Sequence, residues 1–208
     1  MSDLTIGQPL VLVVEGDDDK NFFEALARHL GIPGIDVLSA NGKDNIRPFI
    51  AAVASTPGFR SNARALGVTR DADTDPRAAF QSVRDALAAA GLEAPPAPLE
   101  VADGSPCVCV MILPASNRPG ELEDLCLAAV STDPAMPCME AYFECLRTQL
   151  PSQPENLSKA RVQTFLASRP KPCPSLGVAA LKQHWPWGAD AFRDARKFLG
   201  DLAARLAP

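Results

Sequence analysis

Continuous apolar runs, each followed by a polar turn and an amphipathic stretch, recur along the first half of the chain. The segment 10–14 is a continuous β-branched run, the pattern of a strand that is covered on both faces, as in a parallel sheet. Further strands are predicted at 35–38, 65–68 and 107–113. Apolar residues between the runs recur at helical spacing. This alternation predicts parallel strands joined by right-handed crossovers.

The last third of the chain has a helical pattern interrupted by prolines. Helices are predicted near 135–149, 156–168 and 189–206. Short helices of this kind would hardly form an independent core. We therefore expect one domain, with an α/β core over residues 1–130 and a helical extension over residues 131–208 packed on it. The predicted fold class is α/β, with a Rossmann-like, mostly parallel sheet of about four strands flanked by helices.

The composition is that of an ordinary globular protein. Of the 208 residues, 47% are hydrophobic and 22% are charged, so a substantial core can be buried. The first apolar run ends at Val14, is too short for a membrane span and follows no basic segment, which predicts a cytoplasmic protein with no membrane contact. The six cysteines form no CxxC pair and have no histidine at zinc-site spacing, which indicates reduced, mostly buried thiols.

Charge is unevenly distributed along the chain, although the net charge is only −5. Residues 1–150 contain 11 Lys/Arg and 21 Asp/Glu, a net −10, whereas residues 151–208 contain 9 and 4, a net +5. An acidic half that binds metal, joined to a basic region that contacts phosphates, suits a nucleic acid substrate, either DNA or RNA. Alternatively, the basic residues are solvated helix faces. The predicted nucleic acid contacts are Lys159, Arg161, Arg193, Arg196 and Lys197.

Acidic residues directly follow two of the predicted strands. Glu15 ends the first strand and Asp71 follows the third, and ligands of open parallel sheets bind beyond the carboxyl ends of the strands. Side chains two residues apart in an extended segment point the same way, so Asp71 and Asp73 are expected to face one ion together. Carboxylate oxygens suit Mg²⁺ or Mn²⁺, and without a cation such a cluster would repel itself. A divalent metal site is therefore predicted at this edge.

The motifs around these acids resemble the Toprim superfamily of topoisomerases, primases and overcoming-lysogenization-defect nucleases. Its signature is a Glu-Gly after the first strand and a DxD after a later one, matched here by VVEGDDDKNFF and GVTRDADTD. The resemblance covers about residues 9–130. A closer likeness is to a small, uncharacterised family of stand-alone Toprim-like proteins with similar VEGxxDxxFF, NGKDNI, DAD and GxLEDL segments.

This resemblance implies roles for four acids. In Toprim enzymes the glutamate that matches Glu15 is a metal ligand or general acid/base, and the pair that matches Asp71 and Asp73 holds Mg²⁺. In the nuclease branch a second acid, four residues after the glutamate, helps to bind a second metal, and Asp19 matches that position. A carboxylate in the first turn of a helix is the competing explanation for Asp19.

Further candidates lie in predicted loops and helix starts. Glu123, rather than Glu121, is expected to complete a second metal site, with helix capping as the alternative. A two-metal nuclease also needs a cation near the transition-state phosphate. Lys43, in a glycine-containing loop after the second strand, is the first candidate for this catalytic role, ahead of Lys20 and Lys159.

The leading functional hypothesis is metal-dependent phosphoryl transfer on nucleic acid by a Toprim-type nuclease. Toprim topoisomerases use a tyrosine on an accessory domain and primases carry a zinc module, whereas this chain has one tyrosine, Tyr142, on a predicted apolar helix face. His29 and His184 have no evident paired nucleophile, which argues against a Ser/His or Cys/His mechanism.

Two other hypotheses remain from the sequence. In the first, the chain is a non-catalytic Toprim-like metal-binding or interaction module that partners a separate ATPase, which the lack of an obvious catalytic lysine and the acidic net charge favour. In the second, it is a phospho-acceptor receiver domain. Such a domain expects a lone aspartate after the third strand, and the DADTD segment fits that poorly.

Overall fold

A five-stranded sheet forms the centre of the structure, a computed structural model that describes residues 4–206. The strands are β1 (Leu10–Val14), β2 (Ile35–Ser39), β3 (Ala65–Asp71), β4 (Val101–Ala102) and β5 (Cys107–Leu113). Their order is β2-β1-β3-β5-β4, and all neighbours are parallel except β4, which is antiparallel to β5. The predicted fold class, a mostly parallel sheet flanked by helices, is confirmed. The sequence did not predict β4, a two-residue edge strand.

Helices cover both faces of this sheet. One face packs against α2 (Ile46–Ser55), α3 (Pro57–Asn62) and α4 (Pro76–Ala89). The core on the other face, which we call the C-terminal face, contains residues of six helices. They are α1 (Asp17–His29), α5 (Leu122–Ala129), α6 (Ala135–Gln149), α7 (Leu157–Ala167), α8 (Leu176–Leu181) and α9 (Arg193–Ala204). Of these helices, α1 and α9 contact the strands.

The central strand β1 shows why the sheet is buried on both sides. Its alternate residues Leu10, Leu12 and Val14 belong to the core of the C-terminal face, and Val11 and Val13 belong to the core of the opposite face. All five are fully buried. This two-sided burial accounts for the continuous apolar run in the sequence.

Helix α9 lies directly against the middle of the sheet at a glycine. A Cβ atom at Gly67 in β3 would lie 2.8 Å from Leu12 Cδ1, 2.8 Å from Leu202 Cδ1 and 2.9 Å from Phe198 Cζ. The absence of a side chain at Gly67 therefore allows the last helix to approach the strand closely.

We expect Gly67→Ala to destabilise the protein by about 1–3 kcal/mol, because the added methyl overpacks a closed core. Chemical denaturation measures the change. Gly200→Ala is the matched control: it lies in the middle of α9 with open space around its Cα, so alanine should be neutral or stabilising there. Equal effects of the two substitutions would contradict close packing of α9 on β3.

None of the helices in the described residues has the length and apolar character needed to cross a membrane.

Candidate metal centre

Acidic side chains that follow three neighbouring strands meet at the carboxyl edge of the sheet. Glu15 follows β1, Asp71 is the last residue of β3, and Glu123 lies in the first turn of α5, after β5. Because β1, β3 and β5 are adjacent and parallel, these positions share one edge. A cleft of about 420 Å³ opens there. Its lining residues are Gly16, Asp17, Asp18, Asp19, Asp71, Glu121, Glu123, Asn156 and Lys159.

Asp19 is a buried carboxylate with one unsatisfied oxygen. Its side chain lies in the first turn of α1 and the residue is only 8% exposed. Oδ2 accepts a hydrogen bond from the backbone N–H of Gly16 at 3.2 Å, whereas Oδ1 has no hydrogen-bond partner among the described residues. Oδ2 thus caps the N-terminus of α1, and Oδ1 is the candidate ligand atom. Buried carboxylate oxygens without partners are costly, so the second oxygen requires an explanation.

Asp71 ties the strand ends together through its backbone and side chain. Its N–H donates to Glu15 Oε2 at 3.4 Å, and its Oδ1 accepts the backbone N–H of Leu122 at 3.0 Å. These bonds join the ends of β1 and β3 to the start of α5. Asp71 therefore occupies the middle of the acidic edge.

Burial and mutual repulsion hold the protons on these acids. Burial, and next the charge of Glu15, raises the pKa of Asp19 to about 7. Burial, and next the charge of Glu121, raises the pKa of Glu123 to about 7. The pKa of Asp71 is raised well above its ordinary value by burial first and by the charge of Asp19 second. Burial also raises the pKa of Glu15 and of Glu121. A cation at this edge would offset both effects.

These pKa values predict that the metal-free protein loses stability as the pH rises from about 4 to above 7. The folded state binds more protons than the unfolded state in this interval, because the ordinary pKa values are 3.8 for Asp19 and 4.5 for Glu123 and both rise to about 7 on folding. Melting temperatures measured in a chelator at pH 5 and pH 8 test this, and we expect the higher value at pH 5.

Asp19→Asn isolates the contribution of the cleft to this pH dependence. The variant should show a smaller decrease in melting temperature between pH 5 and pH 8, because one of the acids whose pKa rises on folding is gone. A decrease of the same size in both proteins would assign the pH dependence to groups elsewhere.

The structure differs from the expectation that Asp71 and Asp73 face one ion from an extended segment. Strand β3 ends at Asp71, Ala72 is buried, and Asp73 has a φ of 51° and pairs through its backbone with Gly120 in an antiparallel bridge. The left-handed backbone at Asp73 breaks the alternation on which the expectation depended. Its Oδ2 instead accepts a hydrogen bond from Lys43 Nζ at 3.0 Å, in a half-exposed ion pair.

Of the five predicted nucleic acid contacts, only Lys159 lines the cleft. The other four are not among its lining residues, and their side chains are engaged by other groups of the protein. These pairs are Arg161 with Glu140, Arg193 with Asp190, Arg196 with the carbonyl oxygens of Trp187 and Ala189, and Lys197 with Asp201.

The start of α7 forms a wall of the cleft that the sequence did not reveal. Asn156 Nδ2 donates to Glu121 Oε2 at 2.8 Å, and Ser158 Oγ donates to Asp124 Oδ1 at 2.6 Å. These bonds join the N-termini of α5 and α7, and no spacing rule connects residues so far apart. Arg70 was also missed: its charge lowers the pKa of Glu15, opposing the effect of burial.

The donor set fits a divalent cation, but the ligands are not fully assembled. All the acids of the cleft offer hard carboxylate oxygens, and Asp19 Oδ1 has no hydrogen-bond partner in the part of the chain that the structure describes. No group of three or more His, Cys, Asp or Glu side chains among residues 4–206 is arranged as a complete metal site. Two contacts are consistent with this, since Asp71 Oδ1 is engaged by Leu122 and Asp73 Oδ2 by Lys43.

Fold and site together define an α/β protein with a Rossmann-like parallel sheet and a carboxylate cluster at its carboxyl edge. A family model described as a protein of unknown function, DUF3226, matches residues 9–204, and the chain belongs to that family. No curated protein gives a significant match.

Solved structures of two bacterial proteins are similar to the chain. The C-terminal region of the Burkholderia pseudomallei OLD protein is 16% identical over 94% of this chain and 98% of that one, with a TM-score of 0.46. The C-terminal region of the Xanthomonas campestris pv. campestris OLD protein, phased with mercury, is 19% identical over 97% of this chain and 89% of that one, with a TM-score of 0.37.

Proposed function

We propose that the cleft binds Mg²⁺ or Mn²⁺ and that the chain is a Toprim-type nuclease that hydrolyses phosphodiester bonds in nucleic acid. The observation that carries the proposal is the buried Asp19, whose Oδ1 has no hydrogen-bond partner within residues 4–206 and lies at a cleft lined by further acids. The resemblance of the sequence motifs around Glu15 and Asp71 to the Toprim superfamily supports the same chemistry. A bound divalent ion would activate a water molecule and stabilise charge on the phosphate.

The ligands proposed for the metal are Asp19, Asp71 and Glu123, with Glu15 beside them. The first three line the cleft, and the backbone N–H of Asp71 holds the Glu15 carboxylate against the end of β3. Asp73 Oδ2 can join this set only when the ion pair with Lys43 opens, because Lys43 Nζ binds this oxygen. In that state Lys43 would be released to contact a phosphate.

Lys159 is the proposed substrate-binding cation of the cleft. It lies in the first turn of α7, and its charge lowers the pKa of both Glu121 and Glu123. A lysine on the wall opposite strand-end carboxylates is placed to attract a phosphate that also contacts the metal. This assigns to one residue the role that the sequence assigned to five.

Cleavage of a supercoiled plasmid and of single-stranded DNA and RNA, in Mg²⁺, in Mn²⁺ and in chelator, tests the proposed function. Binding measured over a series of salt concentrations tests Lys159: Lys159→Gln should weaken it and reduce the log-log salt slope by about 0.7–0.9, the value for one phosphate contact. Lys182→Gln, an exposed lysine outside the cleft, should leave the slope unchanged.

A non-catalytic module that partners a separate ATPase is the second candidate. The ion pair between Asp73 and Lys43 favours this candidate, because the Asp73 carboxylate is bound to a lysine instead of being free to bind a metal ion. Metal binding without cleavage of any of the three substrates would support this candidate over the nuclease.

A further inference from the structure

A thiol and an imidazole lie in contact on the C-terminal face, outside the acidic cleft. Cys173 Sγ and His184 Nδ1 are 3.4 Å apart. The sequence interpretation that His184 has no paired nucleophile was therefore wrong. After α8 the chain turns back, with Gln183 in the left-handed region and the N–H of His184 bound to the carbonyl oxygen of Ala179. This turn brings together two residues that flank α8.

A cavity of about 320 Å³ opens beside the imidazole of this pair. It is lined by Arg169, Pro170, Lys171 and His184. Cys173 is only 8% exposed and is not among the lining residues, so the exposed imidazole lies at the entrance and the sulfur behind it. A reagent that reaches the sulfur must therefore be small.

We propose that Cys173 is a site of oxidation by small hydroperoxides and that His184 activates it. His184 takes the thiol proton, which gives the nucleophilic thiolate. The thiolate attacks one peroxide oxygen, so that an S–O bond forms and the O–O bond breaks. The departing hydroxide, or the alkoxide of an organic hydroperoxide, takes the proton back from the imidazolium and leaves as water or as an alcohol. Sulfur is oxidised to the sulfenic acid, the peroxide is reduced, and an external thiol can reverse the change.

The remaining cysteines provide the comparison that this proposal needs. Cys109 and Cys126 are fully buried, and burial raises the pKa of Cys109 to about 12 and that of Cys126 well above its ordinary value, which makes both inert. Cys138 and Cys145 are exposed and have the better access to solvent. If exposure alone set reactivity, these two thiols would be oxidised before Cys173.

The test treats the full chain with hydrogen peroxide in the presence of a dimedone probe that traps sulfenic acid, and follows each cysteine by mass spectrometry. We expect Cys173 to be labelled about tenfold faster than Cys138 or Cys145, because an ordinary thiol at neutral pH is only a few per cent thiolate. His184→Asn should reduce the labelling rate of Cys173 by a similar factor and leave that of Cys138 unchanged.

Labelling of Cys138 and Cys145 ahead of Cys173 in the unmodified protein would overturn the proposal. So would an unchanged Cys173 rate in His184→Asn, provided that its melting temperature shows a folded protein. If this variant does not fold, the order of labelling among the three thiols in the wild-type chain decides alone. Cys173→Ser should remove the corresponding label and retain the fold.

Discussion

Asp71→Asn is expected to reduce metal-dependent phosphodiester cleavage by more than about 100-fold, since loss of residues that merely orient metal ligands already costs about 10–100-fold. Asparagine keeps an oxygen that can accept the hydrogen bond from the backbone N–H of Leu122. It removes the negative charge at the centre of the acidic edge. Cleavage rates in saturating Mg²⁺ and Mn²⁺, with melting temperatures for both proteins, measure the effect.

The fold of this variant should be retained. Burial raises the pKa of Asp71 well above its ordinary value, so the negative charge of this side chain destabilises the metal-free protein. Asp85→Asn is the control, because Asp85 is exposed on α4 and its side chain accepts a hydrogen bond from Gln81 Nε2 on the same helix. Loss of activity together with a large decrease in melting temperature would mean that Asp71 stabilises the fold through its hydrogen bond with Leu122 and has no role in catalysis.

The centre of the sheet was predictable because strands β1 and β5 are buried along their whole length, whereas the edge strand β2 is only partly buried. Two-sided burial requires apolar residues at every position, so runs such as Leu10–Val14 and Cys107–Leu113 are visible without any alignment. Strand β4 and helices α3 and α8 were missed because two to six residues do not carry a measurable periodicity.

The convergence of acids was predictable from topology, but their partners were not. Glu15 and Asp71 end adjacent parallel strands, and that alone places them at one edge. The ion pair of Asp73 with Lys43 depends on the left-handed backbone at Asp73 and on the bridge from Asp73 to Gly120. No residue pattern in the sequence predicts these two backbone features. Surface ion pairs of Arg193 with Asp190, before α9, and of Lys197 with Asp201, within α9, likewise involve basic residues that the charge count alone assigned to a substrate.

Addition of Mn²⁺ or Mg²⁺ at pH 8 is expected to raise the melting temperature by about 5–10 °C. An ion that binds only the folded state contributes about 2.7 kcal/mol at 100 times its Kd, and each kcal/mol corresponds to about 2–4 °C for a chain of this size. The reason lies in the cleft, where Asp19 and Glu123 are ionised at pH 8 and repel their neighbours. Differential scanning calorimetry with and without the ion measures the shift.

Asp19→Asn should have two opposite effects that together identify the site. Without metal it should melt at a higher temperature than the wild type, because a buried, repelled carboxylate has become neutral. With metal it should lose most of the ion-dependent increase, because the proposed ligand oxygen Oδ1 no longer carries charge. Glu24→Gln, a solvent-accessible acid on the same helix that pairs weakly with Lys20, should change neither value. An ion-dependent increase that survives Asp19→Asn would place the cation elsewhere at the sheet edge and remove the main support for the proposed ligand set.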